Sequence, residues 1–341
     1  MKKVSVITPC YNSYEYLDKC FESLVNQTIG IENMEIIFVN DASTDNTGEK
    51  LNSFEALYPD SVLVIHLDEN VKQGGARNVA LQYVSGEYLV FIDSDDWVDL
   101  TYLETVYNIV KENDVDMLQI PFVHVRGEGE NATYTKTPAY WEGLYVMEDT
   151  NARKHFLTHQ LFNCGAPNKI YRTEMVRKAN ACFLQGVAYE EPSFVYPLFF
   201  YANRIYQLDA KMYFYRLHET STMTSYITKP GKLYDHPFVQ LSVYKQIRSN
   251  PEFYSVYKDE IDYYFLFTFY IETLYFSKMG NLYLGYDFFL LMQNTVRNMV
   301  PDWAENSYIQ TLLSEPMIEA LASVACKLSE EEFLEFKKNL Q

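Results

Sequence analysis

Five short runs rich in β-branched and aromatic residues alternate with segments of helical spacing across the first 125 residues: Val4 to Thr8, Glu35 to Asn40, Ser61 to Leu67, Tyr88 to Asp93 and Met117 to Val125. Strands that alternate with helices are joined by crossovers, so they align in parallel and are covered on both faces. The pattern predicts an α/β domain built on a mostly parallel sheet flanked by helices. Between the first two runs Asn12 is placed to cap a helix with Glu15 at its third position, and Leu17, Cys20, Phe21, Leu24 and Val25 share one face.

Open sheets of this kind bind ligands in the crevice beyond the carboxyl ends of the strands. The fourth run leads straight into Asp93-Ser94-Asp95-Asp96-Trp97, with three carboxylates in four positions. Such charges stay ionised together only when donors, water or a cation compensate them. The Asp93-x-Asp95 spacing can aim two carboxylates at one point, where Mn²⁺ or Mg²⁺ takes oxygen ligands and keeps positions open for phosphates. A solvated turn, with Asp96 or Asp99 capping the helix that starts near Thr101, explains the same residues without a metal.

Three more strand ends face the same crevice. Thr8-Pro9-Cys10-Tyr11-Asn12 combines a proline bend with an aromatic that can cover a planar base. Val39 to Asp45 offers Asp41 to a base N–H or a ribose hydroxyl, with Ser43 or Asp45 as a cap for the next helix. Gly74-Gly75-Ala76-Arg77-Asn78 brings backbone close to a ligand beside one fixed cation, and Arg77 suits either a diphosphate or an ion pair with the 93–96 cluster. Neither a G-x-G-x-x-G fingerprint nor a P-loop is present.

Charge narrows the classes further. Lys+Arg 28 against Asp+Glu 46 gives a net charge of −18, which argues against a nucleic-acid surface and against electrostatic attachment to anionic lipid. An anionic substrate then needs local positive charge or a metal. Cys10, Cys20, Cys164, Cys182 and Cys326 show no paired short spacing and read as reduced thiols. The apolar stretch after Lys2 and Lys3 ends at Pro9, too short for a signal peptide, and no transmembrane segment is expected. The expectation is a cytoplasmic protein that meets the inner face of the membrane only through partners or an amphipathic face.

Arg126 to Glu142 is polar and reads as a loop or hairpin over the site. A helix near Asp149 to Leu161, the stretch CGAPNKIYR (164–172), a loop ending in YEEPSF (189–194), and strands around Ile205 to Leu208 and Lys211 to Tyr215 follow. Beyond about Thr224 helical periodicity takes over, crowded with Tyr and Phe, as in Ile261 to Phe276. Two domains are expected, 1–224 and 225–341, with the aromatics filling a helical core. A homo-oligomer interface or an acceptor surface is the alternative use of those rings.

Taken together, TPCYN (8–12), VNDASTDN (39–46), GGARN (74–78), GEYLVFIDSDDW (86–97), NKIYR (168–172) and YEEPSF (189–194) resemble the family 2 glycosyltransferases, which have the GT-A fold. The resemblance covers about residues 1–220 and leaves out the helical tail. It implies an inverting hexosyl- or N-acetylhexosaminyl-transferase of bacterial surface polysaccharide or glycoconjugate synthesis. Such an enzyme moves a sugar from a nucleotide-sugar donor, usually a UDP-sugar, to a hydroxyl of a glycan, lipid-linked or protein-linked acceptor.

By position, the resemblance places Thr8, Pro9, Tyr11, Asn12 and Asp41 at the uridine, Arg77 facing the donor, Asp93 with Ser94 near the ribose, and Asp95 on the metal. Glu191, preceded by Glu190, occupies the general-base position, where the family usually has the Asp of a Glu-Asp pair. His218, before STMT (221–224), completes the metal site or contacts the pyrophosphate. Two other classes share parts of this pattern: a nucleotidyltransferase, and a non-catalytic nucleotide-sugar-binding protein, for which the glutamate at 191 is the one hint.

Overall fold

The computed structural model describes residues 2–127, 129–139, 141–159, 161–218, 234–279 and 284–340. The chain divides into two units, one of residues 1–148 and 162–218, the other of residues 149–161 and 219–341. The expected boundary at 224/225 and the STMT segment lie outside the described residues. The helix Thr150–Thr158, expected in the first domain, belongs to the second unit.

The first unit is built on an eight-stranded sheet. Strands β1 (Val4–Cys10), β2 (Met34–Asn40), β3 (Val62–His66) and β4 (Tyr88–Phe91) run parallel in the order β3-β2-β1-β4. Helices α1 (Leu17–Val25), α2 (Thr47–Leu57) and α3 (Lys72–Leu81) make the crossovers. β1 is buried along its whole length, which is why its sequence shows no alternation. Phe21 of α1 stacks on Phe54 of α2 at 3.7 Å, sealing one face beside Phe38. Pro9 pairs with Val39, whereas β4 pairs only with Val4 to Ile7, so the missing N–H falls past the end of β4.

Beyond β4 the sheet is mixed. β10 (Lys169–Arg172) lies antiparallel between β4 and β6 (Met117–Gln119), β11 (Arg204–Gln207) is parallel to β6, and β9 (Gly143–Val146) is antiparallel to β11. β10 and β9 are thus reversed, but β6 and β11 run with β1 to β4, so the mostly parallel expectation holds. The antiparallel sense starts β10 at the edge where β4 ends. Residues 163–168 are thereby delivered to the crevice.

The expected single strand from Met117 to Val125 is two strands in different sheets. Pro121 offers no N–H to a ladder, and the chain leaves the large sheet there for β7 (Phe122–Arg126). β7 forms a hairpin with β8 (Thr133–Lys136), and the second sheet has the order β5-β12-β7-β8, with β5 at Trp97–Val98 and β12 at Tyr213–Leu217.

The second unit is helical. Helix Pro251–Phe265 passes through a π-helical turn, Leu266–Ile271, into Glu272–Met279, with Asp235–Arg248 and Tyr286–Met299 among its other helices. Its core is aromatic, with Tyr244 stacked on Phe265 at 4.2 Å and Phe289 on Phe333 at 4.4 Å. Buried Asp262 accepts from Tyr244 Oη (2.7 Å) and Lys258 Nζ (2.8 Å). No helix among the described residues is long and apolar enough to cross a membrane.

Candidate active site

The acidic turn is held by the last strand of the unit. Asp96 is enclosed and accepts from Tyr213 Oη and from the Arg216 backbone N–H, both at 2.8 Å. Tyr213 Oη in turn receives the Asp93 N–H at 3.2 Å. Burial, with Asp95 and Asp93 nearby, pushes the Asp96 carboxyl well above the usual range. Asp96 is therefore a structural pin for the turn, and neither Asp96 nor Asp99 caps the helix Tyr102–Glu112: its N-cap is Thr101, whose N–H and hydroxyl donate to Asp99 Oδ1 at 2.9 and 2.6 Å.

Asp95 stays partly open to solvent, and its Oδ2 lies 2.8 Å from His218 Nε2. The two groups hydrogen-bond to each other, and among the described residues no group of three or more His, Cys, Asp or Glu is placed to hold a metal ion. A carboxylate with an imidazole would fit part of a divalent-cation site, and a nitrogen ligand would suit Mn²⁺ better than Mg²⁺, which prefers all-oxygen surroundings. Asp93, the other expected metal ligand, is engaged elsewhere.

Its partner is Arg77, which the sequence reading places facing the donor and the structure buries. The guanidinium is 1% exposed, donates from one terminal nitrogen to Asp93 Oδ1 (2.8 Å) and from the other to Glu190 Oε1 (2.9 Å), and lies 3.8 Å from Glu191 Oε1. The ion pair with the acidic cluster is thus what Arg77 makes, and it extends to a second pair of carboxylates. Burial raises the pKa of both Asp93 and Glu190, and Arg77 opposes that rise.

Glu190 and Glu191 reach Arg77 because of two backbone features. Tyr189 adopts φ 59°, a left-handed conformation rare for an aromatic, just before the helix Glu191–Leu198. Gly74 leaves room for the approach: a Cβ there would sit 2.8 Å from both Glu190 Cγ and the Leu184 carbonyl oxygen. Glu191 opens the helix with Pro192 in its first turn, so it is a helix-start residue as well as a site residue. Its Oε1 accepts from the Ala166 N–H at 3.0 Å. Burial, reinforced by Glu190, pushes its carboxyl up to about 7 against the pull of Arg77. A carboxylate poised there can take a proton at neutral pH.

On the donor side, Tyr11 is 51% exposed and free to cover a flat ring. Asp41 is buried, with Oδ1 accepting from the Val71 N–H at 2.7 Å, and burial raises its pKa. Three further residues expected at the donor have these surroundings. Thr8 is enclosed in the core, its hydroxyl without a partner among the described residues, because it lies within the wholly buried β1. Ser94 is buried and shares a 2.7 Å hydroxyl contact with Ser13. Asn12, at φ 50°, accepts from the Thr44 N–H at 2.8 Å, tying the first loop to the second rather than capping α1, which begins five residues later at Leu17. Asp45 accepts from the Thr47 N–H at 3.0 Å, close to the expected cap.

Tyr213 and Lys169 are not among the expected site residues. Both fall inside stretches noted above, the strand around Lys211 to Tyr215 and NKIYR (168–172), but their burial depends on pairing with distant strands.

The acidic turn and the Glu190–Glu191 pair thus meet at one buried arginine on this sheet. The chain belongs to glycosyl transferase family 2, whose model matches residues 5–179. TarS of Staphylococcus aureus, a poly(ribitol-phosphate) beta-N-acetylglucosaminyltransferase, is 29% identical over 238 residues, 69% of this chain and 39% of that protein. The glycosyltransferase GlyA of Streptococcus pneumoniae is 29% identical over 225 residues, 64% of this chain and 31% of its own length. The chain thus spans well under half of these curated relatives. The solved structure of TarS residues 1–349 in complex with UDP-GlcNAc superposes with a TM-score of 0.71 at 21% identity, covering 98% of this chain and 89% of that one. That likeness extends the shared fold through the helical unit.

Proposed function

We propose that this chain is an inverting glycosyltransferase that moves a sugar, hexose or N-acetylhexosamine, from a UDP-sugar to a hydroxyl of a surface-polysaccharide acceptor. The observation that carries the reading is Arg77, whose single guanidinium joins the acidic turn at Asp93 to the Glu190–Glu191 pair. Donor-side and acceptor-side carboxylates are thereby held at one place. The names of TarS and of the poly(ribitol-phosphate) beta-glucosyltransferase of Bacillus spizizenii support a glycan or polyol-phosphate acceptor. The mannosyltransferase of Pyrobaculum calidifontis, solved with GDP-Man and Mn²⁺, supports a metal-dependent donor site on this fold.

In this reading Tyr11 covers the uracil, and Asp41 with Asp93 meets the nucleoside. Asp95 and His218 would hold Mn²⁺ or Mg²⁺, which would supply positive charge beside the departing diphosphate. Glu191 accepts the proton of the acceptor hydroxyl. That oxygen forms a bond to the anomeric carbon as the bond to the diphosphate oxygen breaks, which inverts the centre in one displacement. Glu190 keeps Arg77 beside the base.

The test is calorimetry of UDP-sugars with and without Mn²⁺, on the native chain and on Asp95→Ala, followed by transfer assays on Glu191→Gln. Metal-dependent binding lost in Asp95→Ala, and transfer lost in Glu191→Gln with donor binding kept, is the expected outcome. Absence of nucleotide-sugar binding overturns the reading, and turnover of UTP with a sugar 1-phosphate replaces it with a nucleotidyltransferase.

A further inference from the structure

Lys169 is 0% exposed and has no carboxylate partner among the described residues. Its Nζ donates to Asn163 Oδ1 (2.7 Å), to Asn168 Oδ1 (2.9 Å) and to the Gly165 carbonyl. Three protons meet three acceptors, all in the segment that delivers β10 to the crevice. Burial pulls the ammonium down to about 7, while Cys164 and Glu191 act the other way. A buried ammonium is costly, and a methionine would fill the same space without that cost, so packing alone does not account for it.

The carbonyl of Gly165 and the N–H of Ala166 belong to one planar peptide unit. Lys169 holds the carbonyl end, and the N–H end donates to Glu191 Oε1 at 3.0 Å. The path from Nζ–H through O=C–N–H to Oε1 is therefore a single rigid lever. Fixing the carbonyl fixes the direction of the N–H, and the positive charge polarises the amide so that it donates more strongly. The surroundings brace the lever: Tyr171 Oη donates to the Ala166 carbonyl at 3.0 Å, and Asn168 Nδ2 to the Ile120 carbonyl at 2.6 Å.

We propose that Lys169 is a positioning residue for the base, acting through the Gly165–Ala166 peptide to hold the Glu191 carboxylate in its productive orientation. The proposal rests on the reading of Glu191 as the base. It is tested by a double-mutant cycle of Lys169→Met and Glu191→Gln in transfer assays, with donor affinity by calorimetry and the Ala166 amide proton followed by NMR.

Lys169→Met is expected to lower kcat roughly tenfold to hundredfold, with donor affinity unchanged within about twofold. In the Glu191→Gln background it should cost nothing further, and the Ala166 amide proton should move upfield in either single variant. Equal losses in both backgrounds, or an unmoved Ala166 amide in Lys169→Met, overturn the proposal. Should Lys169→Met fail to fold, Asn163→Ala loosens the same ammonium and should give a smaller fall in kcat with the same amide shift; no effect on either overturns the proposal equally. If Glu191→Gln leaves transfer intact, the base assignment fails, while the amide shift still reports whether Lys169 acts on the peptide.

Discussion

Replacing Arg77 by methionine should destabilise the first unit by about 3–5 kcal/mol, because it strands carboxylates that have no other strong compensation. The magnitude follows from the geometry. The guanidinium is 1% exposed and makes two charge-assisted hydrogen bonds of 2.8 and 2.9 Å, to carboxylates that are themselves largely buried. Methionine keeps most of the side-chain volume against Phe91 and Phe183, so the loss reports charge rather than a cavity. The sign of its pH dependence is also fixed. Asp93 and Glu190 already titrate above their ordinary values because of burial, and Arg77 is what restrains them. Without it their folded-state pKa rises further, so the folded variant holds protons that the unfolded chain releases. The variant therefore loses stability as pH rises from the ordinary carboxylate range towards the raised values, and the deficit shrinks in acid. Urea unfolding followed by tryptophan fluorescence, in a Trp303→Phe background that silences the helical unit, measures this at pH 5 and pH 8. A loss below about 1 kcal/mol, or one equal at both pH values, would refute the reasoning, since a stranded buried charge cannot be that cheap or that insensitive to protonation.

Gly74→Ala gains about 1 kcal/mol of helix preference but must push aside the Leu184 carbonyl and Glu190 Cγ at 2.8 Å, so a net loss of stability with reduced kcat is expected; a fully active, more stable variant would count against the close approach. For Glu191, whose folded carboxyl sits at about 7 against 4.5 ordinarily, the native chain loses stability as pH rises between those values. Glu191→Gln should accordingly raise the melting temperature at pH 8 and leave it unchanged near pH 4, and the native kcat/KM should climb with pH through an acid limb near 7; a flat profile from pH 5 to 8 would remove Glu191 as the base. His218→Ala should weaken Mn²⁺-dependent UDP-sugar binding about tenfold while metal-free binding stays put, and calorimetry showing equal affinities would take His218 out of the site.

The parallel half of the sheet was legible because its strands are short, β-branched and closed by turn residues, and because nothing tertiary competes with that local signal. The strand break at Pro121 was legible in principle, yet an unbroken apolar run outweighs one proline in a periodicity reading. What could not be read is which residue turns inward. Arg77 and Glu190 are 113 positions apart, and only folding reveals that the cation reaches past Asp93 to a second carboxylate. Lys169 sits in a stretch that was noticed, but its burial follows from β10 entering antiparallel between β4 and β6. The left-handed turn at Tyr189, without which Glu190 and Glu191 would be aimed elsewhere, carries no glycine or asparagine to announce it.

The acidic turn is also a junction, since the strand before it ends in the large sheet and the strand after it opens the small one. Trp97–Val98 lies at one edge of that small sheet and Thr133–Lys136 at the other, with two strands between them. Length and sequence can therefore change around 127–139 without disturbing the backbone that carries Asp93 and Asp95. The fold thereby separates the backbone that carries the acidic turn from an edge hairpin that contributes no strand to it.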